Sequence, residues 1–237
     1  KVYFYLSKKL SNFNPKSIRM EHVVRSLVNQ QQVNGFSFKF SDANIFKSQL
    51  TQMMVEVEQE VHKTMLPMAT CLKEVIPIYN KDGQLSRRNL KLLGDMQEYV
   101  CGQFSLIKFD PFNLGSRQQI AKQLIRKGWK PIKFTEKGSI IVDESVLEKV
   151  NLPEAQMIYR YLLLQKRIAQ LDNWINAYKH DTGCIHGRVI TLGANTNRMT
   201  HMAPNVAQTP ASYSPYGKEC RELFTVRSPD RVLVGCD

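Results

Sequence analysis

Residues 193–210 read G-A-N-T-N-R-M-T-H-M-A-P-N-V-A-Q-T-P. The stretch is polar and shows no apolar face at the helical period, so it predicts a connecting loop. It gathers hydrogen-bonding side chains: Arg198, His201, Asn205 and Gln208. Such side chains can read groove edges or sugars. They can equally belong to an ordinary surface loop. Upstream of it, Pro153 to about Tyr178 predicts a long helix, with proline suited to the first turn. Ile158, Tyr161, Leu162, Ile168, Leu171, Trp174, Ile175 and Tyr178 would supply its core face. Residues 184–190 predict a strand, and Val232, Leu233 and Val234 a short buried one leading to Asp237.

Farther out, residues 17–34 predict an amphipathic helix with Met20, Val23, Val24, Leu27 and Val28 inward, ended by Asn34-Gly35. A second helix is expected from Ser41, as cap, to about Thr64. Its buried stripe would be Ile45, Leu50, Met53, Val57 and Val61, and an antiparallel pair with the first is the simplest arrangement. Residues 66–111 are punctuated by Pro67, Pro77, Asp82-Gly83 and Pro111 and predict an irregular insert with a tight turn at Asp82-Gly83. Ser116 to Lys127 is helical again, with Ile120, Leu124 and Ile125 inward and Gly128 as the stop.

The chain has 237 residues and a formal charge of +12. That excess suggests an anionic partner, phosphate backbone first among them. The apolar share of 43% is that of a folded chain, and no apolar run is long enough for a transmembrane helix. Cys71, Cys101, Cys184, Cys220 and Cys236 are odd in number and widely spaced, which suits reduced thiols and a cytosolic compartment. Basic residues are densest from Arg117 to Lys137, where Arg117, Lys122, Arg126, Lys127, Lys130, Lys133 and Lys137 face one acid, Glu136. This reads as a phosphate-contacting surface or a solvated basic face. His180, Cys184 and His186 offer three zinc-capable side chains without a fourth. Asp143-Glu144 suit a helix N-terminus. No G-x-x-x-x-G-K-[ST], G-x-S-x-G or H-E-x-x-H occurs.

Asn197-Arg198-Met199-Thr200-His201 through Pro204-Asn205-Val206-Ala207-Gln208-Thr209-Pro210 resembles a signature of family A DNA polymerases, the polymerase I superfamily, in the form found in short-tailed phage replicases. Tyr216-Gly217, Arg221 and Phe224 are similar to the next block. Val234-Gly235-Cys236-Asp237 resembles the first palm motif, ending on its metal-binding aspartate. Phe112-Asn113-Leu114-Gly115-Ser116 with Gln118 or Gln119 is similar to the F-N-P-x-S block, Lys130 to Gly138 to the loop after it, and Tyr161 to Ile168 to the long thumb helix. Asn34-Gly35-Phe36 resembles the start of the polymerase domain. Asn197 stands where the family has glycine, Leu114 where it has proline, and Tyr213 where phage relatives tend to carry arginine.

The resemblance implies an α+β, mostly helical fold: a helical thumb over 17–180, with the insert at 66–111, and the first part of an α/β palm over 181–237. Residues 1–16 would end a preceding exonuclease. It implies template-directed DNA synthesis with primer–template DNA and dNTP as partners and two Mg²⁺ ions. Arg117, Lys130, Lys137, Lys166, Arg167, Arg198, His201, Asn205 and Gln208 would contact DNA, and Asp237 would be the catalytic and metal-binding residue. One carboxylate cannot hold two metal ions, so the chain alone is expected to be inactive. Fingers and a second aspartate are expected beyond residue 237. The insert lies where some phage relatives bind a processivity factor, but it is shorter and no such partner is assigned. The implied setting is the cytoplasm of a phage-infected bacterium, without membrane. The alternatives are a non-catalytic nucleic-acid-binding module derived from a polymerase and a helical protein–protein module.

Overall fold

The computed structural model describes residues 8, 9, 11–94, 102–228 and 230–234. The elements run α1 (Pro15–Asn34), β1 (Phe36–Phe38), α2 (Phe40–Thr64), β2 (Met68–Val75), α3 (Arg87–Leu93), β3 (Phe104–Asp110), α4 (Arg117–Arg126), α5 (Glu144–Leu147), α6 (Pro153–Ala177), β4 (Tyr178–Lys179), β5 (Cys184–Ile185), β6 (Arg188–Ile190), β7 (Thr200–Met202), α7 (Gly217–Glu222) and β8 (Phe224–Thr225). They fall into two compact units. One joins residues 1–54 to 163–237, and the other spans Val55–Leu162.

The first unit is organised by a short antiparallel sheet of order β4-β5-β1-β8. β1 pairs with β5 through Phe36 and Ile185 and with β8 through Phe38 and Phe224. The sheet face carries an aromatic cluster. The Phe38 ring lies 6.4 Å from Trp174 and 5.4 Å from Phe224, and Trp174 lies 5.1 Å from Phe224, all edge-on. Edge-on rings add about 0.5–1.5 kcal/mol per pair to their burial. Gly35 connects α1 to β1 at φ +66, and a β-carbon there would sit 2.8 Å from the His186 ring and the Ile185 carbonyl. Only glycine satisfies both demands.

The expected face of α1 is corrected. Of its five apolar positions, Val28 alone is fully buried, while Met20, Val23 and Leu27 are more than half exposed. The backbone of α1 lies against β6. Arg25 Nη1 donates to the Val189 carbonyl (2.9 Å), and Val189 N–H donates to Gln32 Oε1 (3.3 Å). Polar side chains, not the apolar stripe, therefore dock this helix. The strand expected over 184–190 is two strands broken at His186-Gly187. The one expected at 232–234 does not form, and Val232, Leu233 and Val234 are all exposed.

In the second unit, α4 buries Ile120, Ala121 and Leu124. Phe112, Leu114, Trp129, Leu147 and Ile158 are among the other buried residues of its core. Ile125 is exposed, as is Ile45 of α2 in the first unit, against expectation. α2 opens at Phe40, which places Ser41 inside the first turn. The insert is not irregular. β2 and β3 form an antiparallel ribbon from Met68 opposite Asp110 to Val75 opposite Phe104, with a bulge between Cys71 and Lys73. Beyond it, Tyr79 bridges Leu85 around the expected Asp82-Gly83 turn. The ribbon escaped the sequence reading because six of the eight β2 residues are exposed, so no inward–outward alternation is written into it.

Candidate nucleic-acid interface

The stretch 193–210 is a hairpin followed by a loop. β6 and β7 pair antiparallel, with Val189 opposite His201. The turn between them closes through Ala194 and Asn197, and Asn197 adopts φ +59. Asparagine tolerates this left-handed conformation better than most residues, which accounts for its standing in for glycine. Arg198 leaves the turn exposed. His201 lies on β7 beside a small cavity of about 200 Å³ that Gln31, Gln32 and Gly187 also line. Its Nδ1 is buried without a partner among the described residues.

After β7 the loop runs back along α6. Lys166, Gln170 and Asn173 stand at i, i+4 and i+7 on that helix and therefore share one face. With Arg167, Asn205 and Gln208 they line a cleft of about 570 Å³, and no carboxylate lines it. The cleft is held from behind. Arg167 is 8% exposed and donates from Nε to the Pro215 carbonyl (3.3 Å) and from Nη1 to Gln170 Oε1 (3.4 Å). Gln170 Nε2 donates to the Gln208 carbonyl (2.8 Å), and Arg221 Nε to the Pro210 carbonyl (2.8 Å). Asn205 Oδ1 is buried with no donor among the described residues. Buried polar atoms are ordinarily paired, and this oxygen can accept a hydrogen bond. Asp172, the acid of α6 two residues from Gln170, is paired with Lys47 at 2.5 Å.

The structure thus brings Lys166, Arg167, Asn205 and Gln208 together. Arg198 and His201 lie on the neighbouring hairpin. Gln170 and Asn173 were missed, although their spacing from Lys166 would have found them. Arg167 lines the cleft and gives two of its five donors to the chain itself.

In the second unit, Arg117, Lys130 and Lys137 are exposed. Arg117 opens α4, whose entry is a set of local hydrogen bonds. Ser116 Oγ accepts from Gln119 N–H (3.4 Å), Gln119 Oε1 from Asn113 N–H (2.8 Å), and Asn113 Oδ1 from Gly115 N–H (2.8 Å). The F-N-L-G-S…Q pattern is therefore a helix-capping device. Lys137 stands in a tight turn, where Thr135 N–H donates to the Ser139 carbonyl and Phe134 bridges Ile140. Lys127 is not free, because its Nζ meets Glu154 at 2.5 Å and holds that carboxyl below its usual range.

The zinc-capable trio is committed elsewhere. His186 Nδ1 faces the Gln32 carbonyl and Nε2 the Thr182 hydroxyl, each at 2.9 Å, so Nδ1 carries the proton. Cys184 Sγ accepts from Arg227 Nε (3.3 Å), and His180 packs edge-on against Phe40. Among the described residues no group of three or more His, Cys, Asp or Glu is placed to hold a metal. Asp237 lies outside the described residues. No helix among them is long and apolar enough to cross a membrane.

A family model described as DNA polymerase family A matches residues 83–237. Over 141 residues the chain is 44% identical to the DNA-directed DNA polymerase of Enterobacteria phage T3 and 43% identical to that of Escherichia phage T7. Each alignment covers 55% of this chain and 20% of the relative, so the chain spans about a fifth of the length of the curated relatives it matches. The fold is shared with a solved structure, the POL domain of Pol1 from M. smegmatis in complex with DNA primer-template and dNTP. The TM-score is 0.66 at 18% identity, over 93% of this chain and 32% of that one. The mixed helical and sheet architecture and the family model, which spans more than half of the sequence, agree: this chain belongs to DNA polymerase family A.

Proposed function

We propose that this chain is the primer–template-holding part of a DNA polymerase that copies DNA by template-directed nucleotide addition. The observation that carries this reading is the acid-free cleft along α6, where Lys166 stands beside the amides of Gln170, Asn173, Asn205 and Gln208. Cations and amides in one groove suit a duplex, whose phosphates take charge-assisted bonds and whose base edges take amides. Minor-groove acceptors look alike across base pairs, so amides directed there sense pairing geometry without reading sequence. That is what a copying enzyme requires. In this reading Arg198 and His201, on the hairpin that precedes the cleft loop, add further contacts, and Arg117, Lys130 and Lys137 give the second unit its own phosphate contacts.

Asp237 is the carboxylate that this reading assigns to Mg²⁺. Divalent metal would stabilise the attacking and leaving oxygens, and one carboxylate is only part of such a site. Catalysis, dNTP binding and a place in the cytoplasm of an infected host therefore belong to the longer enzyme in this proposal. Arg198→Ala should weaken primer–template binding by about 1–3 kcal/mol, the usual worth of a hydrogen bond to a charged group. A matched titration showing unchanged affinity would remove the hairpin from the interface.

A further inference from the structure

We propose that the cleft between the Gly128–Lys133 turn and the α5–Leu152 segment is a docking groove for an acidic peptide of another protein, anchored by an aliphatic side chain. The cleft has a volume of about 610 Å³, and Trp129, Ile132, Val146 and Val150 form its apolar walls. Lys130, Lys133 and Lys149 stand around it, and no Asp or Glu lines it. The neighbouring Asp143 is occupied: its Oδ1 accepts from the Ser145 hydroxyl (2.8 Å) and the Val146 N–H (2.9 Å). Ile132 is 89% exposed, an aliphatic side chain left in water at the edge of an apolar hollow.

The two properties together select the occupant. The three lining ammonium groups outnumber the Asp143 carboxylate that Lys133 acts on, and they complement a polyanion and would steer one in. Apolar walls add nothing to a phosphate backbone. Bases would need an aromatic face to stack on, and Trp129 is 8% exposed, its ring taken up by the core. A peptide brings carboxylates for the rim and an aliphatic anchor for the hollow on one chain, the arrangement of an interface with a central apolar anchor and a charged rim. Lys130 is shared with the proposed DNA contacts, whereas Ile132 and Lys149 are not, so those two positions separate the functions.

The test is fluorescence anisotropy of the full chain with a dye-labelled ten-residue peptide, eight aspartates around a central pair of leucines. Saturable binding is expected. It should weaken about tenfold or more when serines replace the leucines, or when the chain carries Ile132→Ser or Lys149→Glu. Both variants should bind primer–template DNA as the unchanged chain does, and both positions are exposed, so folding is not at stake. No binding would overturn the proposal. So would binding indifferent to the leucines or to Ile132→Ser, which would reduce the groove to a patch of charge. Parallel loss of DNA affinity in both variants, with displacement of the peptide by DNA, would assign the cleft to nucleic acid instead.

Discussion

Gly35 shows how one residue sets the geometry of the first unit. It turns α1 into β1 at φ +66, with the His186 ring and the Ile185 carbonyl against the place a side chain would take. Gly35→Ala should destabilise the fold by more than about 1–3 kcal/mol, since a steric clash adds to the backbone strain. Gly83→Ala, at φ +75 with nothing within 4 Å, carries the backbone cost of about 1–2 kcal/mol alone. Urea unfolding of the two variants checks the difference, and equal losses would contradict it. Asp143 is a second case. The Ser145 hydroxyl, the Val146 N–H and the charge of Lys133 hold its carboxyl below the usual range against partial burial. A depressed folded-state pKa gives stability that is present above the unfolded value, near 3.9, and lost as pH falls through the folded one. Asp143→Ala should therefore cost about 1 kcal/mol at neutral pH, the worth of an N-cap, and progressively less below about pH 4. A cost that stayed constant between pH 7 and pH 3 would show that charge plays no part.

At the scale of elements, α6 joins stability to the proposed binding surface. One face buries Leu171 and Trp174 in the core, and another lines the cleft with Lys166, Gln170 and Asn173. Trp174→Ala should cost about 3–5 kcal/mol, read by denaturant midpoint, because the indole is 1% exposed at the centre of the aromatic cluster. A loss below 1 kcal/mol would mean that the cluster does not organise this unit. α2, α4 and α6 were legible in the sequence because each carries its own period, with a cap or a proline marking the start of α4 and α6. What could not be read follows from missing local signals. The β2–β3 ribbon is solvated on most of its surface, so its strands carry no alternation. The apolar positions of α1 lie mostly in water while Arg25 and Gln32 do the docking, a contact that hydropathy does not encode. Likewise, the α6 cleft exists only because the 205–214 loop folds back on the helix. Its cationic residues were visible in advance, and their assembly with Gln170 and Asn173 was not.

For the whole molecule, a charge of +12 is an electrostatic argument for nucleic acid, and membership of DNA polymerase family A is in keeping with it. Charge alone would also suit a solubilising surface, so the discriminating quantity is counter-ion release. Each phosphate neutralised by Lys or Arg lowers log K by about 0.9 per tenfold rise in salt. Lys166 is the cationic end of the proposed groove, and Gln170 and Asn173 supply its amides. The most direct test of the central claim is therefore the salt dependence of primer–template affinity, measured by anisotropy for the unchanged chain and for Lys166→Gln. The unchanged chain should bind with a steep negative slope, and the variant should bind more weakly with a slope shallower by about one. Binding without salt dependence, or a variant with the slope and affinity of the unchanged chain, would contradict a phosphate-holding role for the α6 cleft.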